Sequence, residues 1–235
     1  MDRASLRQRL AERVEVVEQR IQSACRRAGR RRDEVTLVAV TKSVSVDIAA
    51  LLLDLGIKDL AENRPQELWR RAAILPNATW HFIGHLQRNK IERTLPLVQL
   101  IHSVDSLRLL GALNDEAVKL QKSIPILLEV NASRETSKQG FGPEEISRIS
   151  AEVSNLQRIR ILGLMTMAAF TEDPENARST FASVRKMRDL LRQSIPSPHD
   201  LIHLSMGMSN DFEVAIEEGA TFVRLGTVLF EGVNE

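Results

Sequence analysis

Three groups of residues in this sequence combine residue type and spacing in ways that chemistry could use. Lys42 directly follows the apolar run VAVT, where a buried strand should give way to a loop. A lysine held there against apolar walls is driven toward its neutral amine, which attacks carbonyl carbon. The competing reading is a lysine whose stem runs along the strand end while its charge reaches solvent. Near the C-terminus, Ser205, Gly207 and Ser209 follow one apolar run, and Gly226 and Thr227 follow the next. Paired loops of small and hydroxylated residues offer unobstructed backbone N–H groups and hydroxyl donors, which a phosphate site requires. Taken singly, each is also an ordinary turn or cap residue. Arg224 ends the last apolar run beside these loops. Its guanidinium faces an anion or a ring nitrogen, or else pairs with Glu62 or another carboxylate on a neighbouring strand end.

The elements that must position these residues alternate along the chain. Apolar residues at Leu6, Leu10, Val14, Val17, Ile21 and Ala24 mark one face of an amphipathic helix, which Gly29 stops. Short apolar runs then predict strands at 35–40, 58–61, 79–83, 98–102, 124–130, 159–164, 200–204 and 221–225, the first buried on both faces. Periodic polar-faced runs predict helices at 46–54, 64–73, 88–93, 106–120, 143–153, 175–192 and 210–218. Pro65 suits a first helical position, Ser209 a cap for the helix that runs to Glu218, and Gly219 its stop. Eight strands separated by helices predict an α/β fold, a single-domain (β/α)8 TIM barrel with an extra N-terminal helix. The alternative is a doubly wound open sheet, but no G-x-G-x-x-G follows the first strand. In a barrel, residues just after each strand form the ligand face, which brings Lys42 and the C-terminal loops together.

Composition narrows the function further. With 43% hydrophobic residues in 235, a sizeable core is available, and no composition shift divides the chain. Thirty-two basic and 31 acidic residues leave a net charge of +1, so no overall field recruits nucleic acid or a membrane. The start, MDRASLRQRLAER, is charged and helical in pattern, and no apolar run approaches the roughly 20 residues that span a bilayer, so a cytoplasmic protein is expected. Cys25 is the only cysteine, which excludes an intrachain disulfide and thiolate metal clusters. Tyrosine is absent altogether, removing one common general base.

Seven motifs then occur in order: VAVTK at 38–42, ENR with QE at 62–67, WHFIGHLQRNK at 80–90, HSVDS at 102–106, GLMTM at 163–167, LSMGMS at 204–209 and VRLGT at 223–227. Together they closely resemble the pyridoxal phosphate homeostasis protein family, which is similar in fold to the N-terminal barrel of alanine racemase. The resemblance runs from about Val35 to Phe230. It implies one barrel over residues 1–235 that binds pyridoxal 5′-phosphate (PLP), with residues 1–30 as a helix packed on it. It further implies Lys42 as the Schiff-base lysine, Ser209, Gly226 and Thr227 as holders of the phosphate, and Arg224 facing the pyridine nitrogen. Asn63, Met165 and Met208 would lie near the cofactor. The chain departs from the family at Ala61, where glycine is common, and at Glu231, which precedes Gly232 in the ending.

The resemblance implies a PLP carrier in vitamin B6 homeostasis that turns over no substrate and passes its cargo to PLP-dependent apoenzymes. Racemisation on this fold uses a tyrosine from a second domain, and this chain has neither. The loss of that domain, which contributes to pairing in the racemase, makes a monomer the expectation. Two alternatives stay open: a PLP-dependent amino-acid racemase of low activity, and a Schiff-base aldolase acting on a phosphorylated sugar. His81 and His85 have the i, i+4 spacing of a zinc pair but sit on a predicted strand, so hydrogen bonding at the barrel mouth is expected of them and no metal. RRAGRRR at 26–32 reads as a helix C-terminus followed by a solvated turn. Lys138, after the fifth strand, is either a second amine that could receive the aldehyde or a solvated loop lysine.

Overall fold

The computed structural model describes residues 2–132, 139–153 and 155–233. Its strands are β1 (Thr36–Val40), β2 (Asp59–Glu62), β3 (Thr79–Phe82), β4 (Leu100–Val104), β5 (Ile124–Glu129), β6 (Ile159–Met165), β7 (His203–Ser205) and β8 (Phe222–Leu225). All pair in parallel in chain order, and β1 also pairs with β8, which closes a barrel. The expected (β/α)8 architecture is therefore the one observed. Around it run α1 (Arg3–Arg27), α2 (Val46–Asp54), α3 (Pro65–Ile74), α4 (Ile91–Thr94), α5 (Leu107–Lys119), α6 (Pro143–Val153), α7 (Arg178–Ser194), α8 (Phe212–Glu217) and α9 (Thr227–Phe230). Lys138 lies outside the described residues, as does any contact it makes.

Local chemistry accounts for most boundaries. Ser45 and Ser106 accept from Ile48 N and Leu109 N and start α2 and α5, while Pro65 opens α3. Several boundaries shift by a residue or two, and three departures have a clear local cause. The helix expected at 88–93 breaks into a 3-10 turn, the short α4 and a second 3-10 turn around Pro96, whose ring cannot continue an α-helix. The strand expected at 200–204 starts at His203, because the Asp200 and Leu201 amides both donate to Ile161 O and Leu201 has a φ of 44°. Ser209 does not cap the helix after it: α8 starts at Phe212, behind Asp211, and Ser209 is used elsewhere.

Strand side chains alternate between the barrel lumen and the layer beneath the helices. The outward set, including Leu37, Leu60, Phe82, Ile101 and Leu128, joins the helices in one large core. Two small apolar clusters fill part of the lumen, one of Val38, Val40 and Ala61, the other of Leu100, Leu127 and Met165. The N-terminal helix α1 packs on α8 and α9 and buries Leu10, Val17, Ile21, Ala24 and Cys25. Burial raises the Cys25 thiol, which keeps it unreactive.

The basic cluster at 26–32 closes α1 at Arg27 and continues into a largely exposed turn, as expected, but several of its arginines are also paired. Arg27 pairs with Glu213 and Glu217 at 2.9 and 2.6 Å, Arg30 donates to Ile216 O and Ala220 O at 2.8 Å, and Arg32 grips Glu18 at 2.7 Å. The Arg27 and Arg30 contacts tie the end of α1 to α8, and the Arg32–Glu18 pair ties the following turn back to α1. Partly exposed pairs contribute little each, so the apolar stripe of α1 supplies most of its binding to the barrel. Truncating the fully buried Ile21 to alanine should cost about 2–4 kcal/mol in urea denaturation. A loss below about 0.5 kcal/mol would show that α1 is not part of the cooperative unit.

Candidate functional site

The C-terminal ends of the strands surround a cavity of about 690 Å³, a volume typical of small-molecule sites. Lys42 stands on one side of it. The chain leaves β1 at Val40, and buried Thr41 fixes the turn: its N–H donates to Ala61 O at 3.1 Å and its hydroxyl to Glu62 Oε1 at 2.6 Å. Glu62 in turn pairs with Arg71 of α3 at 3.2 Å, and Arg71 donates to Val44 O at 2.7 Å. A buried ion pair behind the sheet thus holds both flanks of the turn that carries Lys42. Burial pushes the Glu62 carboxyl up, against the pull of the Thr41 hydroxyl and Arg71.

Two expectations change here. Glu62 is not the partner of Arg224, because its neighbour Ala61 points into the lumen and strand alternation turns Glu62 outward. Lys42 is exposed, so the apolar enclosure expected around its amine is not what surrounds it. Among the described residues no ion-pair or hydrogen-bond partner occupies its amine. Asn63 follows Glu62 at the cavity wall, where Gly84 approaches so closely that an added Cβ would lie 2.0 Å from Asn63 O.

Beside Lys42 lie the two C-terminal loops, since β8 pairs with β1 and β7 is the next strand round the barrel. Gly207 has a φ of 93°, and a Cβ there would sit 2.6 Å from Ala215 Cβ, so only glycine lets the loop fold back onto α8. The fold-back carries Ser209 to α9, where its hydroxyl oxygen accepts from Val228 N at 3.2 Å. Ser209, Gly226 and Thr227 therefore share one wall, and Met208 lines it as well. A Cβ at Gly226 would lie 3.4 Å from Val40 O, in contact with the end of β1.

Arg224 forms part of the floor. Its guanidinium donates to Ser205 Oγ at 2.6 Å and to Thr166 O at 3.0 Å. Burial lowers it to about 10, with Glu129 and Asp211 opposing the shift, so it stays cationic at neutral pH. Of the eight residues expected to bind the cofactor, seven border the cavity: Lys42, Asn63, Met208, Ser209, Arg224, Gly226 and Thr227. Met165 does not; it is buried in the lumen with Leu100 and Leu127, one layer below, and Met167 reaches the rim.

Sequence reasoning missed the acidic part of the site. Glu129 ends β5 and Asp211 precedes α8, and both are buried against the cavity. Glu129 offered the same signal as Lys42, an ionisable group closing an apolar strand. Burial pushes Glu129 up to about 7, helped by Asp105 and opposed by Arg224 and His85. His85 is at the mouth, hydrogen-bonded to Asp105 at 3.1 Å, as expected, whereas His81 is inside the barrel. Among the described residues no group of histidine, cysteine and carboxylate side chains could hold a metal ion.

The sequence matches the alanine racemase N-terminal domain over residues 15–233. It is 41% identical over 221 residues to the pyridoxal phosphate homeostasis protein of Aquifex aeolicus, covering 93% of this chain and 96% of that one. The chain belongs to the pyridoxal phosphate homeostasis protein family. Among solved structures, PipY of Synechococcus elongatus PCC7942, determined with PLP bound, is 32% identical and superposes with a TM-score of 0.82 over 94% of this chain and 99% of that one. The alanine racemase of Clostridium difficile 630 shares the barrel alone, with 17% identity and a TM-score of 0.77 over 95% of this chain and 56% of the racemase. A member of the pyridoxal phosphate homeostasis protein family thus spans nearly the whole of its relatives but little more than half of a racemase.

Glu129 gives the site a measurable pH dependence. Its ordinary value is 4.5 and its folded value about 7, so between these limits folding takes up a proton. Stability contributed by this group therefore falls as pH rises from 4.5 to 7 and is constant above, a loss on the order of 3 kcal/mol. Ligand-free Glu129→Gln should be more stable than wild type in urea at pH 8, with the advantage disappearing near pH 4.5. An equal difference at both pH values would remove the proton from the explanation.

Proposed function

We propose that this chain carries PLP on Lys42 and takes part in PLP homeostasis without turning over a substrate. One observation carries the reading: an exposed amine with no partner among the described residues lines the same cavity as the hydroxyls of Ser209 and Thr227, the backbone of Gly226 and a buried guanidinium. When bound, PLP supplies an aldehyde that condenses with primary amines and a ring that withdraws electrons. The donor set fits that ligand. Lys42 is the covalent anchor, Ser209 and Thr227 with the backbone of Gly226 hold the phosphate, and Asn63 and Met208 flank the ring. Arg224 presents a donor that keeps its proton to the ring nitrogen, which leaves that nitrogen a proton acceptor and limits the ring as an electron sink.

The non-catalytic part of the reading rests on residues absent from the sequence and on this arginine. The 235 residues contain no tyrosine to serve as a second base. Glu129, near 7 in the same cavity, favours a secondary reading in which bound amino acids exchange a proton slowly. PLP-dependent apoenzymes are the proposed recipients of the cofactor, and a monomer is the proposed carrier.

Borohydride reduction of the PLP-loaded protein followed by peptide mass spectrometry tests the anchor. The phosphopyridoxyl group should appear on Lys42 and be lost in Lys42→Ala, while Ser209→Ala and Thr227→Ala keep the label but weaken binding about tenfold each. Equal labelling of Lys42→Ala would remove Lys42 as the anchor, whereas no binding of PLP would remove the cofactor and bring forward a Schiff-base aldolase at that lysine.

A further inference from the structure

The lumen of a parallel barrel is normally packed with branched apolar side chains. Here a line of polar groups divides the two apolar clusters. Asp59 opens β2 at the N-terminal face of the barrel, with its side chain one-third exposed. His81 Nε2 lies 3.0 Å from Asp59 Oδ1, and His81 Nδ1 lies 2.8 Å from His102 Nε2. His102 Nδ1 lies 2.8 Å from Ser205 Oγ, and Arg224 donates to the same oxygen at 2.6 Å. His102 and Ser205 are completely buried, and His81 and Arg224 nearly so. Four consecutive hydrogen bonds therefore connect a carboxylate on one face of the barrel to the guanidinium beneath the ligand cavity on the other.

The chemistry of the two ends fixes the direction of the chain. Arg224 can only donate and the Asp59 carboxylate can only accept. With both imidazoles neutral, Ser205 must then donate to His102 Nδ1, His102 Nε2–H to His81 Nδ1, and His81 Nε2–H to Asp59. Every polar atom along the line is satisfied in that arrangement. Reversing it would require a proton on Asp59 or a second cation in a lumen that already holds Arg224. Burial, together with His81, Arg224 and His203, holds His102 well below the usual imidazole value, in accord with a neutral ring. Phe222 packs edge-on against both His81 and His102, which fixes their planes.

We propose that Asp59, His81, His102 and Ser205 are positioning residues for Arg224: a one-directional relay that aims its guanidinium at the ligand cavity and couples its charge to a counterion on the opposite face. This rests on the reading of Arg224 as the partner of the PLP ring nitrogen. Burying four polar groups without such coupling would be costly, and apolar side chains would fill the same space more cheaply. Cooperative polarisation along the line lets the negative end offset part of the guanidinium charge seen at the cavity.

The relay can be tested first on the ligand-free protein by long-range proton–nitrogen NMR of the imidazoles at pH 7. Both His81 and His102 should be neutral with the proton on Nε2. A proton on Nδ1 of either ring, or a doubly protonated His81, would overturn the direction and with it the proposal. PLP titration of Ser205→Ala and Asp59→Asn then tests the coupling. Ser205→Ala should lose about tenfold in affinity. Asp59→Asn, which keeps an acceptor but removes the charge from the far face, should displace the absorbance maximum of bound PLP. In both variants reduction should still label Lys42. Unchanged affinity and spectrum in both would reduce the line to packing and overturn the positioning role. Failure of wild type to bind PLP would instead refute the function proposed above, leaving the NMR result to stand alone.

Discussion

Closure of the parallel sheet is the constraint on which the rest of this structure depends. When β1 pairs with β8, every strand has neighbours on both sides and the side chains must alternate between a confined lumen and an outer layer. That alternation separates Glu62 from Arg224: the first points outward to Arg71 of α3, the second inward beneath the cavity. Closure also gathers the C-terminal ends of β1, β2, β5 and β8 around one opening, so residues almost two hundred positions apart become walls of the same site.

The charges of the site are arranged around Arg224. Glu129 and Asp211 oppose the lowering effect of its burial, while the histidine line below leads to Asp59. The cost of burying a guanidinium is met by hydrogen bonds to Ser205 and Thr166 O and by these acidic groups. Burial also raises Glu129 and Asp211, so the cavity gathers groups whose proton affinities are tuned by their neighbours. The amine of Lys42 is set differently, on a turn held from behind by the Thr41, Glu62 and Arg71 contacts. An exposed amine on a fixed turn suits the reversible capture proposed for it, because it is reached from solvent without the barrel opening.

The supporting helices show how local signals and long-range packing share the work. Serines before α2 and α5 announced those helices, and the apolar spacing of α1 announced its buried face. What α1 packs against was not legible: its arginines at 27 and 30 find Glu213, Glu217 and carbonyls nearly two hundred residues away. Ser209 was misread as a cap because the sequence shows only its neighbours. The left-handed Gly207 turns the loop back so that the hydroxyl meets the start of α9 instead.

Apolar periodicity in the sequence was enough to determine eight strands, the order of the helices and hence a barrel, because strand and helix periods are local properties of the chain. Residue type at strand ends was enough to bring forward Lys42 and the C-terminal loops, and seven motifs in order carried the family resemblance. Tertiary structure alone decided which polar groups meet. Glu129 became a cavity wall, Met165 stayed a layer below it, and His81, expected at the mouth, entered the lumen line between Asp59 and His102. Register and strand tilt across the closed sheet set those distances, and neither is written in the spacing of residues along one strand.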